Sequence, residues 1–111
     1  MNIKRGHIYR VNLNPTIGHE QQGNSRPCIV LSNDVLNVHS SMILMVPLTS
    51  SARPRLPIAV PVPSAGMSNS IALTLQMRAI DKRRIISSSN GELSAADLKA
   101  VEEALRAVAD L

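Results

Sequence analysis

The sequence predicts a mainly β protein, a small barrel closed off by one C-terminal α-helix, in a single domain over residues 1–111. Three observations carry this. Short apolar runs separated by Pro, Gly, Asn and Ser fill the chain up to about residue 90, a spacing that suits a small all-β unit. The last segment changes to a helical period. A chain of 111 residues supports one core and not two, because small chains bury only roughly two-thirds of their unfolded surface.

His7 to Leu13 reads as the first strand, with Ile8, Val11 and Leu13 among its apolar positions and Asn14-Pro15 ending it. A polar, Gly-containing loop follows from Thr16 to Ser25. Arg26-Pro27 then launches Cys28 to Ser32, a continuous apolar run of the length expected for a buried strand. Asn33-Asp34 suits the start of a short helical turn through His39. Met42 to Leu48 is a second buried strand, in which Pro47 argues for a bulge or an end. Thr49 to Pro63 is rich in breakers and reads as a long loop, followed over Pro57 to Val62 by an edge strand where Pro need not donate to a ladder. Ile71 to Leu75, Met77 to Ile80 and the short Arg83 to Ile86 complete the sheet. In the C-terminal helix Ser94 and Asp97 form a capping-box-like start, and Leu93 and Leu98 stand at the positions of a hydrophobic staple. Leu98, Val101, Leu105 and Val108 make one apolar stripe, with Lys99, Glu102 and Glu103 on the wet side.

Composition narrows the function. An apolar fraction of 44% with 18% charged residues belongs to a folded chain, since disordered chains lack the apolar surface to offset ordering entropy. There is one Tyr and no Phe or Trp, so a base-stacking platform would have to rest on Tyr9, histidines or arginine planes. Cys28 is the only cysteine, inside an apolar run, which excludes a disulfide within the chain and suits a small buried hydrophobe better than a nucleophile. No segment has the pattern of a signal peptide or a membrane span, so a cytoplasmic protein without membrane contact is expected. No pair of His or Cys stands at metal-ligand spacing, and neither metal nor other cofactor is expected. The net charge of +4 is uneven: residues 1–91 hold ten Lys and Arg against Glu20, Asp34 and Asp81, whereas residues 92–111 hold two bases against five acids. A polyanion would meet the first part.

The unusual polar residues fall in separated segments: Gly18-His19-Glu20-Gln21-Gln22-Gly23, Arg26-Pro27, Pro47-Leu48-Thr49-Ser50, and Gln76-Met77-Arg78-Ala79-Ile80-Asp81. With Arg5-Gly6 and Leu13-Asn14-Pro15-Thr16 before them, and in this order, they closely resemble the MazF/PemK family of toxins. The resemblance runs from about residue 4 to about residue 85. It implies an SH3-like barrel of the CcdB/PemK kind, a homodimer, and an endoribonuclease that cuts single-stranded RNA at short sequences without a metal. It also implies a cognate, MazE-like antitoxin whose acidic tail covers the RNA groove. Carried over residue by residue, the catalytic Arg and Thr fall on Arg26 and Thr49, and Glu20, Gln21 and Gln76 fall near the bound RNA. Ser50, Arg53, Arg55 and Arg78 join them as RNA-binding candidates, the two loop arginines as phosphate clamps.

Metal-free cleavage uses the RNA's own 2′-hydroxyl as nucleophile and leaves a 2′,3′-cyclic phosphate and a 5′-hydroxyl. The phosphorane needs positive charge on its non-bridging oxygens, a base for the 2′-hydroxyl and an acid for the leaving oxygen. The planar fork of Arg26 suits the first need, and the Thr49 hydroxyl adds a hydrogen bond. Guanidinium is effectively always protonated, which makes it a poor base; His19, whose ordinary pKa is near 6.5, is the better proton carrier. The Arg and Asp that PemK-type relatives place just before the Gln of the fourth segment are absent, replaced by Leu73 and Leu75. Asp81 is expected to orient Arg78 or a backbone group. Two rivals stay open: a barrel that grips RNA or protein without cutting, and a toxin aimed at a protein such as gyrase. Fold alone does not separate them.

Overall fold

The structure, a computed structural model, describes residues 2–88 and 91–111. Seven strands form one sheet: β1 (Ile8–Val11), β2 (Arg26–Val30), β3 (Met42–Thr49), β4 (Val60–Pro61), β5 (Ile71–Ala72), β6 (Arg78–Asp81) and β7 (Ile85–Ser87). A short helix α1 (Asp34–His39) precedes β3, and α2 (Ala95–Ala109) ends the fold. The strand path is β4-β5-β3-β2-β1-β7, with β6 also paired to β3, and every pairing is antiparallel.

This sheet has to curl. β6 pairs β3 and β7 pairs β1, yet Asp81 and Ile85 are joined only through the turn Lys82–Arg84. Four residue steps reach at most about 14 Å, whereas in a flat sheet those strands would stand roughly 19 Å apart. The curl stops short of closure: the path still ends in β4 and β7 among the described residues. The expected barrel is therefore an open, barrel-like sheet.

The continuous apolar run of β2 has its reason here, because both faces of that strand are buried. Cys28 and Val30 enter one cluster with Ile3, Tyr9, Val11, Leu13, Ile43, Met45 and Ile80. Ile29 and Leu31 enter the other, with Ile8, Val46, Leu48, Val60 and Val62, and Val101 and Ala104 of α2. Met42 and Leu44 at the start of β3 stay exposed. Pro47 neither ends nor bulges β3; it pairs in register with Cys28. β6 covers β3 as far as Met45 and β5 takes over at Leu48, so Pro47 sits at the handover, where a missing N–H leaves no ladder partner unserved.

Several expected strands shorten for local reasons. Ile71 to Leu75 becomes β5 followed by a 3₁₀ turn, Thr74–Gln76, and the start of the last strand becomes the turn Lys82–Arg84. Pro57 to Val62 yields only β4, at the sheet edge. Asn33 caps α1 by accepting from the Leu36 N–H at 2.9 Å. At α2, Ser94 Oγ accepts from the Asp97 N–H at 3.1 Å, and Leu93 and Leu98 pack in the same cluster. The capping box is completed from elsewhere, however. The Asp97 carboxylate accepts from the backbone N–H and hydroxyl of Ser64, and the Ser94 N–H donates to Ser64 Oγ at 3.0 Å. A short Asp cannot easily reach back to its own cap, and the turn after β4 supplies the missing group. Glu102 is not simply solvated either, since it pairs with Arg5 at 3.1 Å.

Candidate functional site

Strand alternation and register bring the dispersed polar residues to one end of the sheet. Cys28 stands opposite Pro47 and Ile29 opposite Val46, so the antiparallel pairing brings the start of β2 to the end of β3. Arg26 opens β2 and Thr49 ends β3. Arg26 alternates with Cys28 and Val30, and Arg78 on β6 with Ile80, so both arginines continue the face on which the inner apolar cluster lies. At this end the apolar side chains run out and a cleft of about 330 Å³ opens, lined by Leu13, Glu20, Gln21, Met45, Pro47 and Leu75, with Gln76, Met77 and Arg78.

The loop between β1 and β2 folds back on this end. The Asn14 side chain accepts from the Gly23 N–H at 3.1 Å and donates to Asn24 Oδ1 at 2.6 Å. Arg84 donates to the carbonyls of Asn12 at 3.2 Å and Asn14 at 2.6 Å. The Gln21 N–H donates to Gln76 Oε1, and Gln76 Nε2 donates to the His19 carbonyl at 3.5 Å. The Gln21 amide lies against the Arg26 guanidinium, which offers only donors and so assigns the amide oxygen to that side; in this orientation the oxygen accepts from Arg26 Nε at 3.2 Å and from a terminal guanidinium nitrogen at 2.5 Å. Gly23 adopts φ +142°, and a Cβ there would lie 2.5 Å from Arg26 Cδ. The stem of Arg26 thus rests on the loop backbone where only glycine leaves room.

The residues expected to act divide into those brought together and those kept apart. Gln21, Gln76, Arg78 and Glu20 line the cleft, with Glu20 Oε1 held by the Ile17 N–H at 2.6 Å, and Arg26 lies behind Gln21, against its side chain. Thr49 is buried beside them and its Oγ1 accepts from the Ser51 N–H at 3.1 Å; Ser50 is exposed. His19 is exposed on the loop, held only through its carbonyl among the described residues. Arg53 lies on a second cleft of about 460 Å³, which it shares with Asn69, Ser70 and Ile71. That cleft adjoins Thr49, because Thr49 pairs with Ile71. Arg55 lines neither cleft; its backbone is tied to Ala59.

The structure decides between three pairs of readings. Of the two roles expected of Asp81 it takes the second, binding a backbone group and not Arg78. It receives the Arg83 side chain at 3.0 and 3.1 Å and the Arg83 N–H at 2.8 Å, contacts that hold its carboxyl below the usual carboxylate range. It is a turn cap kept charged, unsuited to carrying a proton at neutral pH. Tyr9 is 1% exposed, its hydroxyl bonded to Asn2 and Lys4, and so offers no stacking face. Cys28 is buried, which pushes its thiol up to about 12 despite the nearby Arg26, Arg78 and Arg10, and this removes it as a nucleophile. Leu75 is an exposed wall of the cleft. Sequence reasoning missed Asn14, Gly23 and Arg84 as the residues that shape the loop. The Asn-Pro step and the loop glycine were the only signals, and both also mark ordinary turns.

Comparison with known proteins gives one family. The model of the PemK-like, MazF-like toxins of type II toxin–antitoxin systems matches residues 4–109. Endoribonuclease EndoA of Bacillus subtilis is 34% identical over 77% of this chain and 76% of its own length. Endoribonuclease MazF9 of Mycobacterium tuberculosis is 32% identical over 98% of both chains. Among solved structures, MazF of Deinococcus radiodurans superposes with a TM-score of 0.87 at 29% identity, covering 100% of this chain and 99% of that one. The MazE–MazF complex of the same organism gives 0.82 at 27% identity, with the same coverage.

Proposed function

The chain belongs to the PemK-like, MazF-like toxin family of type II toxin–antitoxin systems, and we propose that its toxin endoribonuclease activity cuts single-stranded RNA by internal 2′-hydroxyl attack, under the restraint of a cognate antitoxin. The observation that carries this reading is the convergence of Arg26, Thr49, Gln76 and Arg78 from four separate segments on one end of the sheet, around a cleft that the β1–β2 loop borders. The relatives named endoribonucleases supply the reaction class, and the MazE-bound structure supplies the precedent for an antitoxin.

The chemistry follows from the residues. The 2′-oxygen bonds to the adjacent phosphorus, the 5′-oxygen departs, and the fragment keeps a 2′,3′-cyclic phosphate. Arg26 binds the non-bridging oxygens whose charge grows in the transition state, and Thr49 donates its hydroxyl to the same group. Arg78, Gln76 and Glu20 line the path of the strand, and Arg53 and Ser50 continue it toward the second cleft; Arg55 reaches phosphates further along. His19 sits on a loop able to bring its ring to the scissile group, taking the 2′-hydroxyl proton or returning one to the leaving oxygen. Among the described residues no three His, Cys, Asp or Glu side chains are grouped to hold a metal ion. The curled sheet fits an SH3-like barrel. Val35, Leu36 and Val38 of α1 and Met42 and Leu44 of β3, all exposed, offer an apolar face for a homodimer. No helix is long and apolar enough to cross a membrane among the described residues, and an mRNA substrate places the activity in the cytoplasm.

Purified protein is expected to cut a mixed single-stranded RNA pool in EDTA, leaving cyclic-phosphate and 5′-hydroxyl ends, and to leave DNA of the same sequence intact. Sequencing of the ends reports activity, chemistry and preferred sequence together. Intact RNA would remove the nuclease reading and return the choice to a binding module or a protein-directed toxin. His19 has its own test. The His19→Gln variant is expected to slow cleavage by about 100-fold, in line with general acid–base contributions. Near-normal single-turnover cleavage by this variant excludes His19 as a proton carrier.

A further inference from the structure

The site holds one contact that RNA binding alone does not call for: two donors of the Arg26 fork already have an acceptor. The Gln21 side-chain oxygen takes both, at 3.2 and 2.5 Å. Gln21 is itself anchored, its backbone N–H on Gln76 Oε1, and Gln76 in turn holds the His19 carbonyl. Behind the fork the Arg26 stem lies against Gly23, whose N–H is fixed by Asn14. A long, rotamer-rich side chain at a cleft is thereby held by its head and its stem.

We propose that Gln21 is the positioning residue for Arg26, its amide oxygen occupying in the RNA-free protein the place that a phosphate oxygen takes in the complex. This rests on the reading of Arg26 as the phosphate-binding group. The exchange is graded correctly by charge. Hydrogen bonds between guanidinium and a charged phosphate oxygen are about twice as strong as those to a neutral amide, so RNA displaces Gln21 while the amide keeps the fork aimed beforehand. Pre-aiming spares the cost of immobilising the arginine when RNA binds. Because the backbone of Gln21 is tied separately to Gln76, its side chain can yield without releasing the loop.

Three variants separate this role from direct RNA contact. Gln21→Ala leaves the fork without its holder: because the amide has already left the fork in the complex, kcat is expected to change little, while KM rises about 3-fold as RNA must now order a loose arginine. Gln21→Glu gives the fork a charged rival to phosphate, and binding of an uncleavable 2′-deoxy oligonucleotide is expected to weaken about 10-fold or more relative to wild type. Gln21→Asn, one methylene short, is expected to behave like Gln21→Ala. The decisive readout needs no catalysis. In the RNA-free protein the Arg26 Nε–H gives a resolved, slowly exchanging NMR signal, assigned by its absence in Arg26→Lys, and it merges with the solvent-exposed arginines in Gln21→Ala. An Arg26 signal unchanged in Gln21→Ala overturns the proposal. So does a Gln21→Ala variant that binds the oligonucleotide as weakly as Gln21→Glu, since Gln21 would then be touching the nucleic acid itself. If the protein cuts no RNA but the Arg26 signal behaves as described, the nuclease reading falls and the contact stands.

Discussion

Arg26→Ala is expected to lower kcat for RNA cleavage about 1,000-fold while leaving the fold intact. The size follows from the task. Removing one preorganised donor from a developing oxyanion typically costs about 100- to 1,000-fold, and Arg26 brings two donors and a full charge. The loss corresponds to roughly 4 kcal/mol of transition-state stabilisation. The fold tolerates the change because Arg26 is only half-buried at the mouth of β2 and its head bonds to a loop side chain, not to the core. Arg26→Lys tests geometry against charge: an ammonium is a point charge without a fork, so it should recover no more than about a tenth of the lost rate. Thr49→Ala, which removes a single neutral donor, is expected to cost about 10- to 100-fold, less than Arg26→Ala. Single-turnover rates on a defined RNA, with thermal unfolding of each variant, check all three. Near-normal cleavage by Arg26→Ala would move the phosphate site elsewhere, with Arg78 the next residue to test.

How far this site was legible in the sequence depends on the range of the interaction. The helix α2 could be read because its evidence is local: Ser94, Leu93 and Leu98 fix its start and its apolar residues recur at helical spacing. The buried strands β2 and β3 announced themselves by uninterrupted apolar runs, which the structure explains by burial on both faces of β2 and of β3 beyond Leu44. Arg26 and Thr49 could be named only through an ordered resemblance, since nothing local marks an Arg before a strand or a Thr after one. It is strand pairing, a property of two strands at once, that brings the start of β2 to the end of β3. The contacts that no local pattern reveals are those between loops. Asp97 finds Ser64, Asp81 turns to Arg83 and not Arg78, and Gln21 finds Arg26. Each joins residue types that are common on surfaces, and each depends on where a loop is carried by the sheet beneath it. The opening of the barrel has the same origin, because it is decided by how β6 and β7 divide between β3 and β1.

Gly23→Ala carries the second large effect, and its cause is steric. At φ +142° an L side chain is strained, and the new Cβ would lie 2.5 Å from Arg26 Cδ and 2.7 Å from Cγ. Backbone strain of this kind costs roughly 1–3 kcal/mol. The atoms in the way belong to a flexible stem, so the cheaper relief is for Arg26 to swing off the loop, which breaks its hold on Gln21. Stability is therefore expected to fall by about 1–3 kcal/mol and cleavage by about 100-fold, nearer to loss of the fork's aim than to loss of the fold. A double-mutant cycle separates the two consequences. If the clash with the Arg26 stem contributes, Gly23→Ala destabilises the protein less in an Arg26→Ala background than in the wild type, and adds little further loss of activity there. Equal stability costs in both backgrounds would mean that the backbone alone objects to alanine, and the packing of Arg26 on this loop would then play no part in aiming it.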